Sequence, residues 1–86
     1  MGLNFPNASR SFNPDRKSVT FWASDRALEF TFELDHSALA MINASAQTEQ
    51  EYLQSFDHNR KLIEAAALRA YKLDAASFHI LTKDSF

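Results

Sequence analysis

Cysteine is absent from the chain. Disulfide frameworks, thiolate zinc sites and cysteine nucleophiles are thereby excluded, and the composition suits a reducing cytosol. Glycine occurs only at Gly2. Loops that cradle phosphate need glycine so that the backbone can approach the anion, which removes Walker-type and Rossmann-type nucleotide sites. No apolar run is long enough to span a bilayer, and the start MGLNFP lacks the basic and apolar regions of a secretory signal. The expected location is therefore the cytoplasm, without membrane contact.

What the chain does hold is enough apolar side chain for one core. Its 86 residues are expected to form a single domain over 1–86, because a chain of this size cannot support two independent cores. Val19, Phe21, Leu28, Phe30, Phe32, Leu34, Leu39, Ile42, Tyr52, Phe56, Ile63, Phe78 and Ile80 fall at inward positions of the expected elements. Each contributes roughly 1.5 to 3 kcal/mol when buried, so neither metal nor disulfide is needed. The net charge is −2 and is unevenly spread. Residues 35–59 contain acids but no Lys or Arg, and residues 60–86 hold most of the bases. Acids near a helix start and bases near its end complement the helix dipole, so one long helix accounts for the segregation.

Residues 18–34 read SVTFWASDRALEFTFEL, two alternating strands around a short turn. With Asp25 and Arg26 as the turn, Ala23 faces Leu28, Phe21 faces Phe30 and Val19 faces Phe32, all on one side. The other side carries Ser18, Thr20, Trp22 and Ser24 against Glu33, Thr31, Glu29 and Ala27. Trp22 is the one residue out of place on that polar side, expected across from Glu29. Upstream, Asn13-Pro14-Asp15-Arg16 has type I turn chemistry and returns Phe12 antiparallel to Val19.

Asp35 caps a short helix over Ala38, Leu39 and Ile42. Thr48 and Glu51 make a capping box that opens a second helix, expected to run on to about Tyr71. Phe78, Ile80 and Thr82 then alternate with His79, Leu81 and Lys83 as a final strand in the same sheet. The fold class is α+β: an antiparallel β-meander, a short and a long helix, and a C-terminal strand, in two layers with the helices on one face of the sheet.

The runs LNFPNASRSF and VTFWASDRALEFTFEL, the AAALRAY helix end and the terminal ILTKDSF resemble the bacterial domain-of-unknown-function 1488 family of small single-domain proteins. The resemblance covers nearly the whole chain. It implies an α+β fold and a cytosolic protein of proteobacterial type, and it carries no activity or catalytic motif with it. Members tend to place Gly after Asp in the hairpin turn, where Arg26 stands here.

The residues that might carry chemistry give no assembled site. His36, His58 and His79 lack the three- or four-residue spacing of helical metal ligands, and nothing calls for a metal or cofactor. None of the serines sits in a Gly-x-Ser-x-Gly elbow. Glu29 and Glu33 share a strand side with Trp22 and form the one candidate acid/base pair; alternating Glu on an exposed strand face is more often solvation and edge protection, and that is the favoured reading. Arg10, Arg16, Lys17 and Arg26 are the candidate phosphate contacts, with Trp22 as a stacking platform, but Asp15, Asp25, Glu29 and Glu33 offset them and argue against nucleic acid.

The candidate binding surface is therefore Trp22 with Thr20, Glu29, Thr31, Glu33 and His79. For Trp22, the first expectation is that Leu3, Phe5 and Pro6 of the N-terminal arm fold over the indole. The second is an interface, with a two-fold homodimer or a protein partner, and the third a small-molecule pocket. The leading expectation for the whole chain is a non-catalytic interaction or regulatory module; a small-ligand protein or enzyme on the Trp22/Glu29 side, and a DNA-binding regulator, are the alternatives.

Overall fold

The computed structural model describes residues 3–5 and 9–86. Strands β1 (Arg10–Asn13), β2 (Ser18–Asp25) and β3 (Leu28–Leu34) are followed by helices α1 (His36–Ile42), α2 (Glu49–His58) and α3 (Arg60–Leu73), strand β4 (Phe78–Leu81) and a 3₁₀ turn at Lys83–Ser85. The sheet order is β1-β2-β3-β4. β1 to β3 are the antiparallel meander, but β4 runs parallel to β3, so the sheet is mixed rather than purely antiparallel. A parallel neighbour needs a long crossover, and the three helices supply it by returning the chain to the start of β3.

Phe12 pairs with Val19, as the turn chemistry predicts. The Asn13 side chain accepts from the backbone N–H groups of Asp15 and Arg16, which holds that turn. The β2–β3 register differs from expectation. Asp25 pairs with Leu28, Ala23 with Phe30, Phe21 with Phe32 and Val19 with Leu34, so the turn is Arg26-Ala27. The pairing differs by two residues, which leaves every side chain on its original face, so the apolar pattern alone does not separate the two registers. The consequences are local. Arg26 takes a positive φ of 61°, a conformation that favours glycine, and Leu28 ends beside the turn, 65% exposed, instead of in the core.

The predicted caps form. Asp35 accepts from the Ala38 N–H and from Ser37, and the Thr48–Glu51 capping box is complete. The expected single long helix is two, separated at Asn59 (φ −113°, ψ 21°). The Asn59 side chain donates to the Ser55 carbonyl at 2.9 Å, the kind of local bond by which Asn competes with helix continuation.

One cluster of buried residues unites the sheet and helices: Val19, Phe21, Ala23, Phe30, Phe32 and Leu34 from β2 and β3, Leu39, Tyr52, Phe56, Ile63 and Ala67 from the helices, and Leu81 from β4. Its strand members all lie on one side of the sheet, called here the core face. Phe21 stacks on Phe32 with centroids 5.4 Å apart and tilts against Phe56 at 5.1 Å. At the far end, the Tyr71 hydroxyl donates to Asp25 at 2.6 Å, tying α3 to the β2–β3 turn. That bond, with burial and the nearby carboxylate, raises the pKa of the phenol.

Candidate functional site

Strand alternation assigns the opposite side of the sheet, the second face, to Thr20, Trp22 and Ser24 of β2 and to Glu29, Thr31 and Glu33 of β3. Trp22 pairs with Thr31, not Glu29; Glu29 stands opposite Ser24, nearer the turn. Thr31 in turn pairs with Phe78 of β4, and Glu33 with Ile80. Two rows therefore cross the second face, Trp22–Thr31–Phe78 and Thr20–Glu33–Ile80.

β4 faces the other way from the sequence expectation. Phe78 and Ile80 are 50% and 46% exposed on the second face, whereas His79 and Leu81 are on the core face opposite Phe32 and Leu34. The strand Phe-His-Ile-Leu offers apolar side chains to both sides, so period-two reasoning has no way to choose. What decides it is Leu81: its side chain is fully buried and its carbonyl accepts from the Asp35 N–H at the end of β3. His79 is consequently separated from Trp22 by the sheet. Its ring stacks on Phe32 at 5.2 Å, and its Nε2 is buried with no hydrogen-bond partner among the described residues.

The N-terminal arm also takes a different course. Asn4 forms a backbone bridge with Ser24, extending the β1 side of the sheet, while Leu3 and Phe5 pack against the core cluster, Phe5 at 6.2 Å from Phe21. Those two residues are therefore not the cover of Trp22, and Pro6 lies outside the described residues. The indole is half-buried.

The two glutamates of the second face are not equivalent. Glu29 is exposed; Glu33 is 6% exposed and accepts from Arg16 Nε at 2.6 Å, Arg16 Nη2 at 3.1 Å and the buried Ser18 hydroxyl. Burial alone would raise the Glu33 pKa, but the Arg16 and Ser18 hydrogen bonds and the guanidinium charge outweigh it and hold it below the ordinary value. Glu33 is thus a fixed anion that anchors the β1–β2 turn to β3, with its carboxylate already engaged. The sum of these contacts is an ion-paired end and an apolar end on one face.

The basic residues are dispersed. Arg10 makes a two-pronged contact with Asp57 of α2 at 3.0 and 2.8 Å, and Arg16 is held by Glu33. Lys17 (φ 50°) and Arg26 are exposed in turns at opposite ends of β2, roughly 25 Å apart for a strand of that length. They do not form a patch. Among the described residues, no group of three or more His, Asp or Glu side chains is placed to hold a metal ion, and no helix is long and apolar enough to cross a membrane. Three surface depressions, at the α2–α3 junction, beside Arg10 and α2, and between α3 and the C-terminus, are lined by residues other than Trp22.

The residues missing from the sequence-derived surface are Phe78 and Ile80. Their only signal was the apolar character of both sides of β4.

A family model described as a protein of unknown function (DUF1488) matches residues 3–80, and the chain belongs to that family. No curated protein and no solved structure matches.

Proposed function

We propose that this member of the DUF1488 family is a non-catalytic interaction module of the bacterial cytoplasm that binds a protein partner through its second face. The observation that carries the reading is the row Trp22–Thr31–Phe78, continued by Ile80, on the side of the sheet away from the core cluster. Exposed apolar groups of this size are costly to leave in water, and a cluster of them on one surface marks a contact site. Tryptophan is among the residues that most often dominate binding energy. In this reading the helices form one layer on the core face, the second face is the outer surface, and Glu33 with Arg16 and Ser18 fixes the polar border of the apolar strip.

A photoreactive residue placed at Thr20, on the second face, is expected to capture a discrete protein adduct in cells that make the chain. The same residue at the exposed Lys61 of α3 is expected to capture none. Loss of the Thr20 adduct in Phe78→Ser supports the assignment. Adducts that form equally at both positions, or turnover by the purified protein that depends on Glu29 or His79, overturn it.

A further inference from the structure

We infer that β4 is a self-pairing edge, through which two copies of this chain join their sheets antiparallel about a two-fold axis at His79. The inference rests on the interaction-module reading, because it uses the same exposed Phe78 and Ile80, and it names one partner of that surface: a second copy.

The argument begins with the backbone. Residues of a strand alternate not only their side chains but the side toward which their N–H and C=O groups point. The Ser77 carbonyl accepts from Thr31 at 2.8 Å and the Leu81 carbonyl from Asp35 at 3.0 Å. Residues 77, 79 and 81 therefore direct their main chain toward β3, and Phe78 and Ile80 direct theirs outward. β4 is the last strand of the sheet, and no turn, cap or side-chain hydrogen bond among the described residues reaches Phe78 or Ile80 from that side.

Unpaired strand edges are normally blunted by lysine, proline or an inward-pointing charge. Phe-His-Ile-Leu contains no lysine, proline or carboxylate. The outward groups are also self-matching. In an antiparallel alignment centred on His79, Phe78 of one copy faces Ile80 of the other and each such pair exchanges both of its N–H···O bonds. The two-fold repeats this with Ile80 facing Phe78, so every outward backbone group of the strand is satisfied and the assembly closes. A two-residue slip leaves Phe78 or Ile80 of each copy without its partner. On the second face the same alignment sets each exposed Phe78 beside an exposed Ile80, an aromatic–β-branched cross-strand pair. The Trp22–Thr31–Phe78 row of one copy then runs on into the Ile80–Glu33–Thr20 row of the other.

At the axis, His79 faces His79 of the second copy in a non-hydrogen-bonded pair, with Cα atoms roughly 4.5 Å apart. That spacing suits a disulfide, and the chain has no cysteine of its own. His79→Cys is therefore expected to form a covalent dimer under mild oxidation, at a rate that a charged edge variant, Ile80→Lys in the same background, reduces at least tenfold. Sedimentation of the unmodified protein is expected to give twice the 9.8 kDa chain mass, and Ile80→Lys, with an unchanged circular dichroism spectrum, the mass of one chain. A wild-type protein that remains one chain up to about 1 mM, the weak end of specific association, overturns the inference. So does a dimer that Ile80→Lys leaves intact. Because the Thr20 adduct is read separately, a monomer that still captures a different protein there refutes self-pairing and keeps the interaction-module reading.

Discussion

At one edge of the sheet, Arg10 of β1 reaches across to Asp57 of α2, Phe12 stacks on Tyr52 at 5.4 Å, and Asn13 folds its amide into the following turn. At the other edge, β4 presents Phe78 and Ile80 to solvent with no Lys, Arg, Asp or Glu in the strand. Both strands have four residues, so length does not explain the contrast. β1 is secured by side-chain contacts to α2, and beyond it the arm's Asn4 bridges Ser24 of β2 with bonds of 2.7 and 2.8 Å. Among the described residues, β4 is held by β3 and by the core and α3 packed beneath it. A fold that protects one edge and leaves the other bare has an outlet for association at the bare one.

The largest effect that separates the two sides of β4 is core burial. Leu81→Ala is expected to cost about 2 to 5 kcal/mol, and Ile80→Ala less than about 1 kcal/mol when measured by urea unfolding of dilute protein. Equal losses would break the assignment of faces. Next comes Glu33, the buried neighbour of Ile80. Glu33→Gln is expected to lose roughly 1 to 2 kcal/mol at neutral pH, because its hydrogen bonds are charge-assisted.

The pH dependence of that loss has a definite sign. The folded pKa of Glu33 lies below its ordinary value of 4.5, so its stabilisation is fully present above about that pH and fades as pH falls through the folded pKa. The variant is therefore expected to unfold less steeply in acid than the wild type, and parallel acid limbs would contradict the ion pair.

Arg26→Gly touches neither edge and serves as the control. Relief of the positive φ at 61° is expected to stabilise the protein by about 0.5 to 1 kcal/mol and leave any self-association unchanged. The smallest effect is at the protected edge. A double-mutant cycle on Arg10 and Asp57, whose side chains are 32% and 42% exposed, is expected to give a coupling of about 0.2 to 1 kcal/mol that weakens with salt.

The meander, both helix caps and the core positions of β2 and β3 were legible because each follows from local chemistry. Alternation sorted Val19, Phe21, Phe30 and Phe32, and Thr48 with Glu51 is a signature with a defined hydrogen-bond pattern. The register of the central hairpin was not, since a two-residue change in pairing preserves every face. Neither was the break at Asn59: the apolar spacing continues through it, and the helix is interrupted where the Asn59 side chain bonds to the Ser55 carbonyl. The candidate surface was half legible. Trp22, Thr20 and Thr31 share it as their positions in the hairpin require, but the facing of β4 depends on a long-range bond between Asp35 and Leu81. That bond removes His79 from the surface and adds Phe78 and Ile80. The Glu29/Glu33 pairing dissolved for a similar reason: Arg16 is distant in the hairpin pattern, and only the folded turn brings it to Glu33.

Amide hydrogen exchange across β4 tests self-pairing at the bare edge most directly. The N–H groups of His79 and Leu81 point toward β3 and are expected to be protected at every concentration. Those of Phe78 and Ile80 point outward; they are expected to exchange quickly in dilute protein and to slow together as concentration rises. Fast exchange at Phe78 and Ile80 at all concentrations, while His79 and Leu81 stay protected, would contradict the account.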